Sequence, residues 1–228
     1  MKSFASIFVL FLFCGSVFAA SMEKEYIVVT GGPALIEWEK LKNPPHDRYW
    51  GNFVRASRVR IEEIRQKHGD VPITWLVYRR AYVRRGERQD HRDLISLINS
   101  VRDKYHVKLV WFNESADVIN YLNSGQPRDQ VKIANFDYFG HSNRACFMFD
   151  YSNEIDSGSK VWLHEDELKQ IHRGLFAPGC HIKSWGCYTG EGMSQKWRMA
   201  TGKKMTGAIG KTDYSTGTLP TVSKHWAF

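Results

Sequence analysis

The sequence predicts an α/β fold: a mostly parallel sheet with helices on both faces. Nearly continuous apolar runs such as Tyr26–Val29 and Val107–Phe112 suit strands buried on both sides. These runs alternate with stretches whose apolar residues recur at helical spacing. Gly, Pro, Asn and Asp collect between them, where turns are needed. With 228 residues, 43% of them hydrophobic, the chain has enough material for one core and does not require a second.

In chain order, Lys2 precedes the apolar run Phe4–Ala19, with small residues at Val17 and Ala19. That is the pattern of a secretory signal peptide over residues 1–20, cut near Ala19 or Ala20. The mature chain is then a single domain, 21–228, secreted or periplasmic, with no later run of membrane-spanning length. Glu25–Thr30 is a strand closed by Gly31-Gly32-Pro33, and Lys42–His46 is a loop around Pro44-Pro45. Phe53, Ala56, Val59, Ile61 and Ile64 predict a helix over Tyr49–His68, stopped by Gly69. Val71–Val83 reads as one long strand. Asp90 caps a helix through Leu94, Ile98 and Val101, and Val107–Phe112 is the next strand. Ser115 caps a short helix ended by Gly125. The run from Val131 stops at Gly140-His141-Ser142, Ala145–Ser152 forms a hairpin or edge piece, and Leu163, Leu168, Ile171 and Leu175 predict a crossover helix. A second run from Cys180 stops at Gly186-Cys187. Met193–Thr201 is a helix, Lys204–Ile209 the last strand, and a loop-rich tail follows Lys211.

Strand, crossover and strand make parallel neighbours whose carboxyl ends open on one edge. His141 and Cys187 are therefore expected side by side, where an α/β enzyme keeps its chemistry. A cysteine attacks only as thiolate, and its free pKa of about 8.5 leaves little at neutral pH. An imidazole that takes the proton, and a helix amino end just after Cys187, both raise that fraction. Gly186 and Gly190 let backbone N–H groups approach a reacting carbonyl. Without Cys14 of the leader, Cys146, Cys180 and Cys187 form an odd set, so one thiol stays free in an oxidising compartment.

Gly140-His141-Ser142, followed by the hairpin and by Trp185-Gly186-Cys187-Tyr188-Thr189-Gly190, resembles the clan CD cysteine peptidases. That clan holds caspases, metacaspases, legumain, gingipains, separase and the bacterial CHAT domains, and the match runs roughly from Lys132 to Ile209. The resemblance implies a caspase-like three-layer sandwich and an endopeptidase working through a thioester acyl-enzyme. It makes His141 the base and Cys187 the nucleophile. The oxyanion site falls to the backbone at Ser142, Gly186 and Cys187, with Ser142 standing where the family usually has glycine. Papain-like enzymes place Cys before His; here His comes first. Acids near the same edge (Asp137, Asp150, Asp156 and Asp213) would favour Arg or Lys substrates, and Asp137 and Asp213 are the candidates carried forward.

Such a dyad acts on a peptide or protein substrate and calls for no cofactor. Cys180, His181, Cys187 and His141 supply soft ligands but lack metal-site spacing, so no metal is expected. The formal net charge is +8. Its densest part, Arg79–Arg92, is a possible polyanion contact or an exposed loop open to self-cleavage. The alternative function is a catalytically inactive module of the same fold that binds through this basic surface.

Overall fold

The computed structural model describes residues 22–41, 48–153, 155 and 158–228. The leader over 1–20, the loop Lys42–His46 and Asp156 lie outside the described residues.

The chain runs β1 (Glu23–Thr30), α1 (Ile36–Leu41), α2 (Asn52–His68), β2 (Ile73–Tyr78), α3 (Arg79–Arg85), α4 (Leu94–Tyr105), β3 (Lys108–Phe112), α5 (Ser115–Ser124), β4 (Val131–Phe139), β5 (His141–Ser142), β6 (Cys146–Asp150), β7 (Val161–His164), β8 (Phe176–Ser184), α6 (Met193–Thr201), β9 (Gly207–Ile209), β10 (Thr212–Asp213), β11 (Thr221–Val222) and β12 (His225–Ala227). Five strands form the central sheet in the order β3-β2-β1-β4-β8, and every pairing is parallel.

Successive side chains of a strand point to opposite faces, and β1 divides its apolar residues accordingly. Tyr26 and Val28 pack with Phe53 and Ile61 of α2 and with Leu94 and Ile98 of α4. Ile27 and Val29 pack with Val118 and Leu122 of α5 and with Trp197 of α6. The molecule is thus an α/β sandwich with an apolar core on each face of the sheet.

Several expected elements change. The stretch expected to be one strand over Val71–Val83 turns helical after Tyr78. Its buried positions switch from every residue in β2 to Ala81, Tyr82 and Arg85 in α3. Arginine tolerates a helix well, so nothing in RRAYVRR resists the change. The helix that follows is capped by Asp93, which accepts from Ser96 N, rather than by Asp90. Asp90 instead holds Arg85 at 2.5 Å. Glu114, not Ser115, is the cap residue of α5.

The crossover from β4 to β8 is not an α-helix. It is the antiparallel sheet β5-β6-β7 followed by a 3₁₀ segment, Glu165–Gln170. Leu163 belongs to β7, while Leu168 and Ile171 reach the same core from the tighter turn. β8 also starts earlier than expected. Between two register pairs β4 advances from Ile133 to Asn135 while β8 advances from Phe176 to His181. The excess loops out around Pro178 and Gly179, where φ is +67°. A proline cannot donate to a ladder, which is why it sits in this excursion. The tail after Lys211 is not loop throughout: β10 pairs with β11, and β12 pairs with β9.

Candidate functional site

β4 and β8 are neighbours in register, Tyr138 opposite Ser184. His141 and Cys187 follow those partners by equal steps, so both leave the sheet at its carboxyl rim. The two rim segments touch directly, because Ser142 Oγ donates to the Cys187 carbonyl at 2.8 Å. Tyr214 clamps them from above. Its hydroxyl accepts the Gly140 N–H at 3.3 Å and donates to the Trp185 carbonyl at 2.9 Å. Tyr138, fully buried, donates to the His141 carbonyl at 2.6 Å.

Glycine at 186 is what allows this approach. A Cβ there would lie 2.1 Å from Ser142 Oγ and 3.1 Å from the Gly140 carbonyl. The turn is also strained: Tyr188, directly after Cys187, holds φ +61°. A bulky residue is rarely found there, at a cost of about 1–3 kcal/mol. The bond from Tyr188 N–H to the Gly210 carbonyl, 2.8 Å, holds the turn in place. The amino end of α6 follows only after a 3₁₀ turn, Thr189–Glu191, so it stands farther from the sulfur than the sequence suggests.

Cys187 is a free thiol, as are Cys146 and Cys180. Its sulfur accepts the Thr212 N–H at 3.3 Å and lies 3.3 Å from Thr212 Oγ1. Its own N–H finds no carbonyl among the described residues. Burial pushes the thiols of Cys146 and Cys180 above the ordinary cysteine value.

The imidazole of His141 is held on several sides. Phe53 meets it edge-on at 4.9 Å and Tyr151 lies at 5.2 Å, centroid to centroid. Glu39, fully buried in α1, places Oε1 3.6 Å from His141 Nε2. Sequence reasoning missed Glu39, Thr212 and Tyr214. IEWEKL is too short for helical periodicity to stand out, and Thr212 and Tyr214 sit in the tail read as loop.

The acids expected to select basic substrates fare differently. Asp137 is fully buried and committed. It accepts Arg60 Nε at 2.7 Å, Asn135 Nδ2 at 2.7 Å and Trp185 Nε1 at 2.8 Å. Burial alone would lower the Arg60 pKa, but Asp137 and Glu63 raise it on balance. Asp137 is therefore a structural counter-ion and not a substrate contact. Asp150 is likewise spent, on Arg84 and Tyr78. Burial opposes its charge, yet Arg84, Ser152 and Tyr78 hold its carboxyl below the usual range. Asp213 stays near the rim, beside Thr212, and accepts Ser215 N–H at 2.8 Å.

The stretch Arg79–Arg92 is not an exposed loop. Arg85 is buried, bonded to Asp90 and to the Ala34 and Arg48 carbonyls, and Arg80 pairs with Glu114. No three His, Cys, Asp or Glu side chains among the described residues converge as a metal site. No helix among them is long and apolar enough to cross a membrane. No family model, curated protein or solved structure matches this chain.

Proposed function

We propose that the protein is an exported cysteine peptidase that hydrolyses peptide bonds with His141 and Cys187. The observation that carries the reading is the contact between the two rims, Ser142 to Cys187 at 2.8 Å, with Cys187 outside any disulfide. In this scheme His141 takes the thiol proton and the sulfur attacks the scissile carbonyl carbon. The tetrahedral oxyanion rests on the unengaged Cys187 N–H, a donor worth about 3 kcal/mol. Collapse breaks the C–N bond, His141 protonates the departing amine, and a thioester remains. Water, deprotonated by His141, then releases the acid and the thiol. Glu39 lies on the Nε2 side of the ring, so Nδ1 is the nitrogen assigned to the thiol, and Glu39 acts as a positioning residue. Tyr214 and Gly186 keep the two rims in register.

A peptide-library digest by the mature protein, with Cys187→Ala as control, tests the proposal. Cleavage by the parent and none by the folded variant is the expected result. Iodoacetamide should alkylate Cys187 first, because burial disfavours the thiolates of Cys146 and Cys180. The non-catalytic alternative draws on the net charge of +8. It requires partner binding that weakens with salt and no thiol-dependent turnover.

A further inference from the structure

Arg55 is a half-buried guanidinium with no carboxylate against it among the described residues. Its Nη2 donates to neutral oxygens, Asn52 Oδ1 at 2.8 Å and the Tyr214 carbonyl at 2.6 Å. Its Nε is buried with no acceptor. Elsewhere the chain supplies a counter-ion to arginines drawn out of water. Arg60 has Asp137, Arg84 has Asp150, Arg85 has Asp90 and Arg128 has Glu25. Neutral oxygens and the Tyr49 ring, 5.7 Å away, offset part of the cost of withdrawing this charge, but no counter-ion does, which points to an anion from outside.

Arg55 lines a groove of about 350 Å³ between α2 and α4, together with Tyr49, Trp50, Arg58 and Arg92. Among the described residues no acidic side chain lines it. Arg58 is shared with Glu62 at 3.0 Å, whereas Arg92 is exposed and has no ion pair among the described residues. Trp50 is only 7% exposed, and its indole N–H also finds no acceptor among them. Tyr214 links the groove to the thiol–imidazole rim, because its ring also meets Phe53 at 4.8 Å. Phe53, two residues before Arg55, packs on His141 at 4.9 Å. Tyr214, the acceptor of Arg55, is two residues from the Thr212 that touches the sulfur.

We propose that this groove is a subsite for an acidic segment of the peptide substrate, with a carboxylate on Arg55 and Arg92 as the outer cation. The assignment rests on the peptidase reading of the neighbouring rim. It reverses the basic-substrate preference expected from Asp137, which is consumed by Arg60 and Trp185. A short acidic segment fits better than a long polyanion, because the arginines that would extend the track, Arg80, Arg84 and Arg85, already hold carboxylates.

The test uses mature Cys187→Ala protein and fluorescent peptides in which paired Glu residues are kept or replaced by Gln or Lys. Anisotropy should show the Glu peptide binding best, with affinity falling as salt is added. Arg55→Gln should weaken that binding roughly tenfold, as loss of a charge-assisted pair does. Arg92→Gln, on the exposed margin, should weaken it about threefold, which keeps the proposal testable if Arg55→Gln disturbs Tyr214. Equal binding of the Glu and Gln peptides overturns it, as does full affinity in both Arg92→Gln and a folded Arg55→Gln. An oligonucleotide that binds the groove more tightly than the Glu peptide also overturns it. Alkylation of Cys187 in the parent separates the two readings. A reactive Cys187 with no acid preference removes the subsite alone, and an inert Cys187 removes the peptidase.

Discussion

Replacing Gly186 by alanine probes the contact on which the site is built. The new Cβ would lie 2.1 Å from Ser142 Oγ, 2.8 Å from Ser142 Cβ and 3.1 Å from the Gly140 carbonyl. Rotating the hydroxyl away relieves the first clash but gives up its bond to the Cys187 carbonyl, worth about 1 kcal/mol. The Ser142 Cβ cannot rotate away, so the strand ends must separate, and overpacking of this kind costs about 1–3 kcal/mol. The expected total is about 3 kcal/mol, or roughly 6–12 °C in Tm for a chain of this size. Urea and thermal unfolding of the mature protein measure it. Ser142→Gly removes both nearest atoms, so the double variant should keep only the loss of the hydrogen bond, about 1 kcal/mol, with a coupling of about 3 kcal/mol. A Gly186→Ala protein as stable as the parent would refute the reasoning. So would strictly additive effects, because the ends of β4 and β8 would then not be packed against each other.

Glu39→Gln should lower kcat several-fold while leaving KM and thermal unfolding close to those of the parent; an unchanged kcat removes its positioning role. Asp137→Asn should cost about 2 kcal/mol in urea unfolding, because half-buried Arg60 keeps only Glu63 as a counter-ion and loses the fully buried one; a loss under about 0.5 kcal/mol would contradict the counter-ion role. Tyr78, Tyr82 and Tyr138 are fully buried, and burial holds their phenols above the ordinary value of 10.0. The unfolded chain releases those protons near pH 10 while the folded chain keeps them, so stability falls as pH rises from there. Each tyrosine contributes about 1.4 kcal/mol per pH unit. Phenolate absorbance from these tyrosines should therefore appear together with loss of near-ultraviolet dichroism, and ionisation ahead of unfolding would contradict their burial.

The sheet was legible because parallel strands buried on both faces leave unbroken apolar runs. Tyr26–Val29 and Trp75–Tyr78 read as strands for that reason, and the run from Val131 does so despite Asp137. The helix α2 was legible from periodicity and from Gly69 after it, and α5 from the Gly125 that ends it. Less visible were elements whose geometry depends on distant partners. α3 continues directly from β2 without a turn residue, and its arginines look exposed until Asp90, Asp150 and Glu114 come to meet them. The 3₁₀ crossover keeps apolar residues at spacings that an α-helix would share. At the site, His141, Ser142, Gly186 and Cys187 could be found because glycine and small residues mark strand ends. Glu39, Thr212 and Tyr214 could not, since a lone acid, threonine or tyrosine carries no local pattern. The charge of Asp137 was visible, but its burial beneath Trp185 was not.

The span of chain that builds the site, from Glu39 in α1 to Tyr214 after β10, has a consequence for when the thiol can act. No hairpin or single helix–strand unit contains it. His141, Glu39, Cys187 and Tyr214 come from separate stretches that meet only when the sheet closes and the tail docks over the rim. On the proposed function, a nascent or half-folded chain therefore has no assembled dyad, and cutting power would arrive last, with the finished tertiary structure.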